Sequence, residues 1–228
     1  RKAHKPALKR VVFSGVGKQP WEIDAALRAN ILLFNVESAA ELDLLAARAH
    51  ALGRRARFAL RVNPDVFADT HPYISTGLRE HKFGIDIALA RAIYRKAAKS
   101  KWLDPAGVSV HIGSQIRTVE PFAAAMSRVA ALIADLKTDG HDIRYVDAGG
   151  GLGIDYSDSL AASAFDPARK VQDYASALKK AASTLQTGDN PIHLLLEPGR
   201  FLVAQAGALL TRVLFVKQNG KKTFVITD

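Results

Sequence analysis

Short apolar runs alternate along the chain with stretches whose apolar residues recur at helical spacing. "RVVFSG" is followed by "PWEIDAALRAN", where Pro20 opens a helix and Asn30 closes it. "ILLFNV" is followed by "SAAELDLLAARAHALG". There Ser38 caps the helix, Glu41 completes a capping box and Gly53 ends it. "RFALRVN" comes next, then a long loop and "DIALARAIYRKAAKS". "GVSVHIGS" leads to "EPFAAAMSRVAALIADLKTDG", and "IRYVDAGGG" to a loop and "KVQDYASALKKAASTLQ". "IHLLLEPGR" is the sixth run.

The six runs are apolar on both faces, which predicts strands of a parallel sheet covered by helices. Six consecutive strand–helix units fit a doubly wound sheet or part of a (β/α)8 barrel. After Gly207 the pattern changes. "ALLTRVLFVKQNGKKTFVITD" reads as two strands around a turn at Asn219-Gly220, the start of an antiparallel element.

Composition narrows the class. The 228 residues are 48% hydrophobic and 24% charged, which is globular. No run of eighteen apolar residues predicts a membrane span, and the basic start "RKAHKPALKR" lacks the apolar core of a signal peptide. Cysteine is absent, which removes disulfides and thiolate metal sites and favours a reducing cytoplasm. The net charge of +10 raises the question of nucleic acid. The basic residues are scattered over "RKAHK", "RKAAKSK" and "KQNGKK" without a binding motif, so a solvated surface is the better reading and no nucleic-acid partner is expected.

The unusual polar residues fall at one kind of place. Arg61 and Asn63 end the third strand, His111, Gly113 and Ser114 the fourth, Asp147 and Gly149, Gly150 and Gly151 the fifth, and Glu197, Gly199 and Arg200 the sixth. C-terminal strand ends are where parallel α/β folds bind ligands. A glycine-rich backbone offers N–H groups to a phosphate, and Arg200 and Ser114 add charged and neutral donors. "GGGLG" lacks the G-x-G-x-x-G spacing of a dinucleotide site.

A phosphate alone does not need Glu197. A ligand with a phosphate at one end and a basic ring nitrogen at the other does, and pyridoxal phosphate is such a ligand. A carboxylate beside the nitrogen keeps it protonated, so the ring can accept a carbanion's electrons. Neutral His111 would lie over the ring, Gly199 would allow close backbone approach to the phosphate, and Arg200 would bind an anionic group. No metal site is expected.

"HIGSQI", "DAGGGLGIDY", "LLLEPGRFLVAQAG" and "RVNPDVFADTHPYISTGLREHKFGI" together resemble diaminopimelate decarboxylase, a family of the alanine-racemase-like, fold type III class of pyridoxal phosphate enzymes. "EPGR" and "HIGSQ" are shared with ornithine and arginine decarboxylase relatives, while "HPYISTG" with "KFGI" and "GGGLGI" points to the diaminopimelate branch. The resemblance implies a truncated pyridoxal-phosphate-binding (β/α)8-type barrel over residues 1–205, with the beginning of a C-terminal β domain at 206–228. It implies stacking of His111 on the cofactor ring, phosphate contacts from Ser114 and from Gly149, Gly150 and above all Gly151, pairing of Glu197 with the ring nitrogen, and placement of Arg200 near phosphate and substrate carboxylate. Racemases of this fold carry arginine at the ring nitrogen, so Glu197 favours decarboxylation.

The implied reaction is loss of CO2 from meso-2,6-diaminopimelate to give L-lysine, by a cytoplasmic homodimer acting on a small amino acid. The alternatives are another basic amino acid decarboxylase, for ornithine or arginine, and a non-catalytic pyridoxal phosphate module. The family's Schiff-base lysine lies on the first barrel strand, whereas this chain begins at the approach to the third. "LFVKQN" mimics the lysine motif, but Lys217 precedes a hairpin turn and reads as a solvated lysine. The chain by itself is therefore expected to be inactive.

Overall fold

The computed structural model describes residues 5–66, 82–156, 166–183, 185, 191–204 and 206–228. "HPYISTG" falls outside them. After a short helix α1 (Lys5–Leu8), strands β1 (Val12–Phe13), β2 (Leu33–Val36) and β3 (Ala56–Asn63) are joined by helices α2 (Pro20–Ala29) and α3 (Ala39–Ala51). Then follow β4 (Ile85–Asp86), α4 (Ile87–Ala97), β5 (Leu103–Val110), α5 (Glu120–Thr138), β6 (Tyr145–Asp147), α6 (Pro167–Ser183) and β7 (His193–Leu195). A short helix α7 (Gly199–Val203) leads to the hairpin β8 (Val213–Asn219) and β9 (Lys222–Thr227). All six predicted strands are present and pair in parallel in the order β1-β2-β3-β5-β6-β7, with the two-residue β4 added to β3.

Each strand sends alternate side chains to opposite sides, and the two sides pack differently. Phe58, Leu60 and Val62 of β3 join a large core with the helices, including Leu45 of α3, Tyr94 of α4, Val129 of α5 and Leu178 of α6. Ala59 faces the other way. It packs in a small cluster with Leu33 and Ala106, bordered by Val12, Tyr145 and Leu195. These six residues come from β1, β2, β3, β5, β6 and β7. The sheet therefore curls around its own inner side chains as a partial barrel.

Local chemistry explains the element ends. Pro20 opens α2, whose N-cap Gln19 donates its N–H to Glu22 Oε2 at 2.8 Å. Asn30 closes it in the left-handed conformation at φ 51°. Ser38 caps α3 by accepting from Glu41 N–H at 3.1 Å, but the box does not close as expected. Glu41 instead accepts from Glu37 N–H and binds Lys18 Nζ at 2.7 Å.

In β5, Ala106 is an extra residue, since Phe58 pairs with Pro105 and Ala59 with Gly107. The Tyr94 hydroxyl fills the break, accepting from Leu60 N–H and donating to the Gly107 carbonyl. Complete burial pushes its ionisation well above the usual tyrosine range.

Two expectations needed correction. Strand β7, at the end of the strand order, is not covered on both faces: Leu194 is 36% exposed, and Leu196 just past it 44%. The antiparallel hairpin forms as expected, but its two-residue turn is Gly220-Lys221 instead of Asn219-Gly220, with Gly220 at φ 60°. Among the described residues no helix is long and apolar enough to cross a membrane, and no group of three or more potential ligands could hold a metal ion.

Candidate active site

The C-terminal ends of the curled strands converge on one polar cluster. Asn35 on β2 is buried, and its Nδ2 donates to Ser14 Oγ just past β1 at 2.8 Å, to Asp147 Oδ2 on β6 at 2.7 Å, and reaches Glu197 Oε1 just past β7 at 3.5 Å. Ser14 Oγ donates to the same Glu197 oxygen at 2.8 Å. Two carboxylates thus share neutral donors. Among the described residues no lysine or arginine lies in ion-pair range of either one. Burial first, and the neighbouring Glu197 charge second, push Asp147 up to about 7.

The neighbouring polar groups are already paired. Arg61 Nη1 binds Glu37 Oε1 at 2.8 Å, and Gly84 N–H donates to Glu37 Oε2. Lys18 is buried and spends its ammonium on the carbonyls of Gly15 and Asn35 and on Glu41. His111 follows β5, and its Nδ1 accepts from Gly150 N–H at 3.1 Å, which fixes the ring. Burial and the Arg61 charge lower its pKa, so the imidazole is neutral at pH 7.

Arg200, in the first turn of α7, forms a second pole. It donates to Tyr156 Oη at 2.6 Å and to Ser114 Oγ at 3.4 Å. Gly151, at φ 100°, turns the chain between these poles.

The glycines do more than offer N–H groups. A Cβ on Gly149 would lie 2.3 Å from the Val110 carbonyl, on Gly150 2.0 Å from the Glu197 carbonyl, and on Gly151 2.2 Å from the Gly113 carbonyl. The run lets β5, β6 and β7 approach at their ends. Gly149 N–H is given to Asp147 Oδ1 and Gly150 N–H to His111, so these two are engaged within the protein. Gly199 has nothing within 4 Å of a built Cβ. Lys217 lies on β8, whose residues are all exposed.

Comparison with known proteins decides the family. Residues 2–204 match the model of the pyridoxal-dependent decarboxylases, pyridoxal binding domain. The chain belongs to the pyridoxal-dependent decarboxylase family. It is 43% identical over 220 residues to a diaminopimelate decarboxylase from Aquifex aeolicus and 45% identical over 219 residues to one from Pseudomonas aeruginosa. Each match covers 96% of this chain and 50% of the relative, so the chain spans about half the length of the curated relatives it matches. The crystal structure of diaminopimelate decarboxylase from Helicobacter pylori complexed with L-lysine superposes with a TM-score of 0.82 at 42% identity, covering 97% of this chain and 52% of that one. The curled parallel sheet thus matches part of the pyridoxal-binding barrel of this decarboxylase family.

The residues present fit the pyridoxal phosphate that the family implies. The acid pair is suited to a protonated ring nitrogen, and the arginine–hydroxyl pole to a phosphate or carboxylate. Three buried polar atoms near the strand ends, Asn35 Oδ1, Arg61 Nε and Asn63 Oδ1, have no partner among the described residues. Such orphans are rare unless a ligand or water satisfies them. Sequence reading missed Ser14, Asn35 and Tyr156. Asn35 did leave a signal, as the lone polar residue inside the apolar run "ILLFNV".

Proposed function

We propose that this chain is the cofactor-binding barrel of a pyridoxal-phosphate-dependent decarboxylase that converts meso-2,6-diaminopimelate to L-lysine and CO2. The observation that carries the reading is the opposition of two poles on one short segment. Glu197 joins an acid pair without a cation, and Arg200, three residues on, joins two hydroxyls. The substrate is supported by 43–45% identity to diaminopimelate decarboxylases across 96% of the chain.

When bound, pyridoxal phosphate supplies a sink for the electron pair left behind by CO2. The chain's residues would hold that sink in its active form. Glu197 would accept a hydrogen bond from the protonated ring nitrogen and keep it charged. Neutral His111, oriented by Gly150, would cover the ring face without adding a competing positive charge. Arg200 and Ser114, with Gly151 at the turn, would hold the phosphate, and Arg200 would also lie within reach of the substrate carboxylate. Gly149 and Gly150 would contribute by bringing the strand ends together beside the cofactor, and Gly199 by leaving space at the start of α7.

We read the complete enzyme as a cytoplasmic homodimer acting on a small amino acid. The absence of cysteine supports the compartment, and the resemblance supports the assembly. The test is CO2 release by the full-length enzyme supplied separately with meso-diaminopimelate, ornithine and arginine. Diaminopimelate is expected to be preferred by kcat/KM. Preference for ornithine or arginine would overturn the substrate, and no cofactor-dependent CO2 release from any of the three would overturn the activity.

A further inference from the structure

We propose that Asp147 and Glu197 work as one unit, a carboxyl pair in which Asp147 is buried and Glu197 partly exposed, which holds a single proton and releases it to solvent on receiving a protonated ring nitrogen. This rests on the reading of the cluster as a pyridoxal phosphate site, and it makes Asp147 a positioning residue for Glu197.

The pair is built into the fold. Tyr145, Val146 and Asp147 pair with His193, Leu194 and Leu195, and Glu197 N–H donates to the Gly149 carbonyl at 2.8 Å. With both backbones fixed at neighbouring strand ends, the two carboxyls reach the same donor, Asn35 Nδ2. Their donors are neutral: Asn35 Nδ2 serves both, Ser14 Oγ serves Glu197, and Gly149 N–H serves Asp147. Two carboxylates sharing a site without a cation do not both ionise at the ordinary pH, and one retains a proton. The elevated Asp147 pKa agrees.

The other ionisable groups facing the pair do not supply the missing charge. His111, on the β5 side, is held neutral, and Arg61, on β3, is committed to Glu37. Tyr174, on α6, is pushed up to about 12 by burial and by the Asp147 charge, and stays protonated. A ring N–H held by Glu197 would be the first cation to reach the pair. Its positive charge lowers the proton affinity of Asp147. The Asp147 O–H bond then breaks, the ring N–H stays intact, and the proton leaves to solvent.

The experiment uses the full-length enzyme stripped of cofactor, with pyridoxamine 5′-phosphate as the probe. Its amine cannot condense with a lysine, so no covalent step enters the proton count. Calorimetric titrations at about pH 6, in buffers of different ionisation enthalpy, give the protons released on binding. Asp147→Asn should release about one proton fewer than wild type while still binding. Any protons lost by the phosphate are common to both. As a check that needs no variant, the wild-type release should fade between about pH 6 and pH 8 as the pair becomes fully ionised. Equal release from wild type and Asp147→Asn, or a wild-type release that does not fade, would overturn the proposal. Failure of the probe to bind wild type would instead overturn the cofactor site and the pair's role with it.

Discussion

Ser14 Oγ donates to Glu197 Oε1 at 2.8 Å, although the two residues end the first and last strands of a six-strand parallel path. In a flat sheet those strands would stand about 24 Å apart, five spacings of roughly 4.8 Å. The hydrogen bond exists because the sheet curls, and the curl brings Glu197 a neutral donor. Ser14→Ala should remove that donor and leave Glu197 Oε1 with the longer contact from Asn35. A net loss of about 0.5–1.5 kcal/mol, up to roughly tenfold in cofactor affinity, is expected in the full-length enzyme. Ser14→Thr should retain most of it. Cofactor titration of the two variants checks this, and equal affinity for Ala and wild type would remove Ser14 from the site.

Tyr94 should matter for the barrel rather than for chemistry. Its hydroxyl satisfies Leu60 N–H and the Gly107 carbonyl where Ala106 interrupts the β3–β5 ladder. Tyr94→Phe leaves both groups buried and unpaired, which should cost about 2–4 kcal/mol. Urea unfolding of the full-length enzyme reads this as a lower midpoint at unchanged slope. An unchanged midpoint would mean that the hydroxyl is dispensable to the ladder.

The glycines divide by environment. Gly150→Ala places a methyl carbon 2.0 Å from the Glu197 carbonyl, between backbones that cannot yield. A loss of about 3 kcal/mol or more, or failure to fold, is expected. Gly199→Ala meets open space and should change stability by less than about 0.5 kcal/mol. Thermal melts of the two variants separate a packing requirement from a general intolerance of alanine.

Much of this was legible in the sequence, and the limits have physical causes. Long apolar runs such as "RFALRVN" and "GVSVHIGS" announce strands because both faces are buried. Two-residue β4 has no period to detect. The exposure of Leu194 and Leu196 depends on what lies beside β7, which no local pattern encodes. Asp147 and Glu197 each stood out as an acid at a strand end. Their partnership with Asn35 and Ser14 did not, because Ser14 and Glu197 are 183 positions apart in the chain. The glycine run stands out in the sequence as a source of N–H groups at a strand end, but its close contacts with neighbouring strand ends come from the curl, which no local pattern encodes.

Asp147 gives stability a pH signature. Its carboxyl is raised from the ordinary 3.8 to about 7, so between those values the folded state binds more protons than the unfolded state. Stability must then fall as pH rises from about 4 towards 7. His111 acts in the opposite sense. Its pKa is depressed below 6.5, so its contribution is present above 6.5 and is lost as pH falls through the folded value. Asp147→Asn should remove the first effect and leave the second, so the cofactor-free full-length variant should gain stability relative to wild type as pH rises to about 7. Unfolding free energies from pH 5 to 8 test this, and parallel curves for the two proteins would contradict it.

Glu197→Gln should cost more in turnover than in cofactor binding. Glutamine keeps the shape and can still accept from Ser14 and Asn35, so the cofactor should stay. What it removes is the negative charge that, in the proposed site, would keep the ring nitrogen protonated. That charge counts most when electrons flow into the ring, so the loss belongs to the chemical step and appears in kcat. His111→Ala should instead loosen the cofactor through lost stacking, with a smaller effect on kcat once cofactor saturates. Arg200→Ala removes the guanidinium that binds Tyr156 and Ser114, and should raise KM or weaken cofactor binding through a lost charge-assisted contact. One set of kinetics with cofactor titration on the three full-length variants distinguishes these outcomes. Wild-type turnover by Glu197→Gln at saturating cofactor would show that Glu197 is not the partner of the ring nitrogen. Its carboxylate would then serve the fold alone, tying β7 to β1 through Ser14.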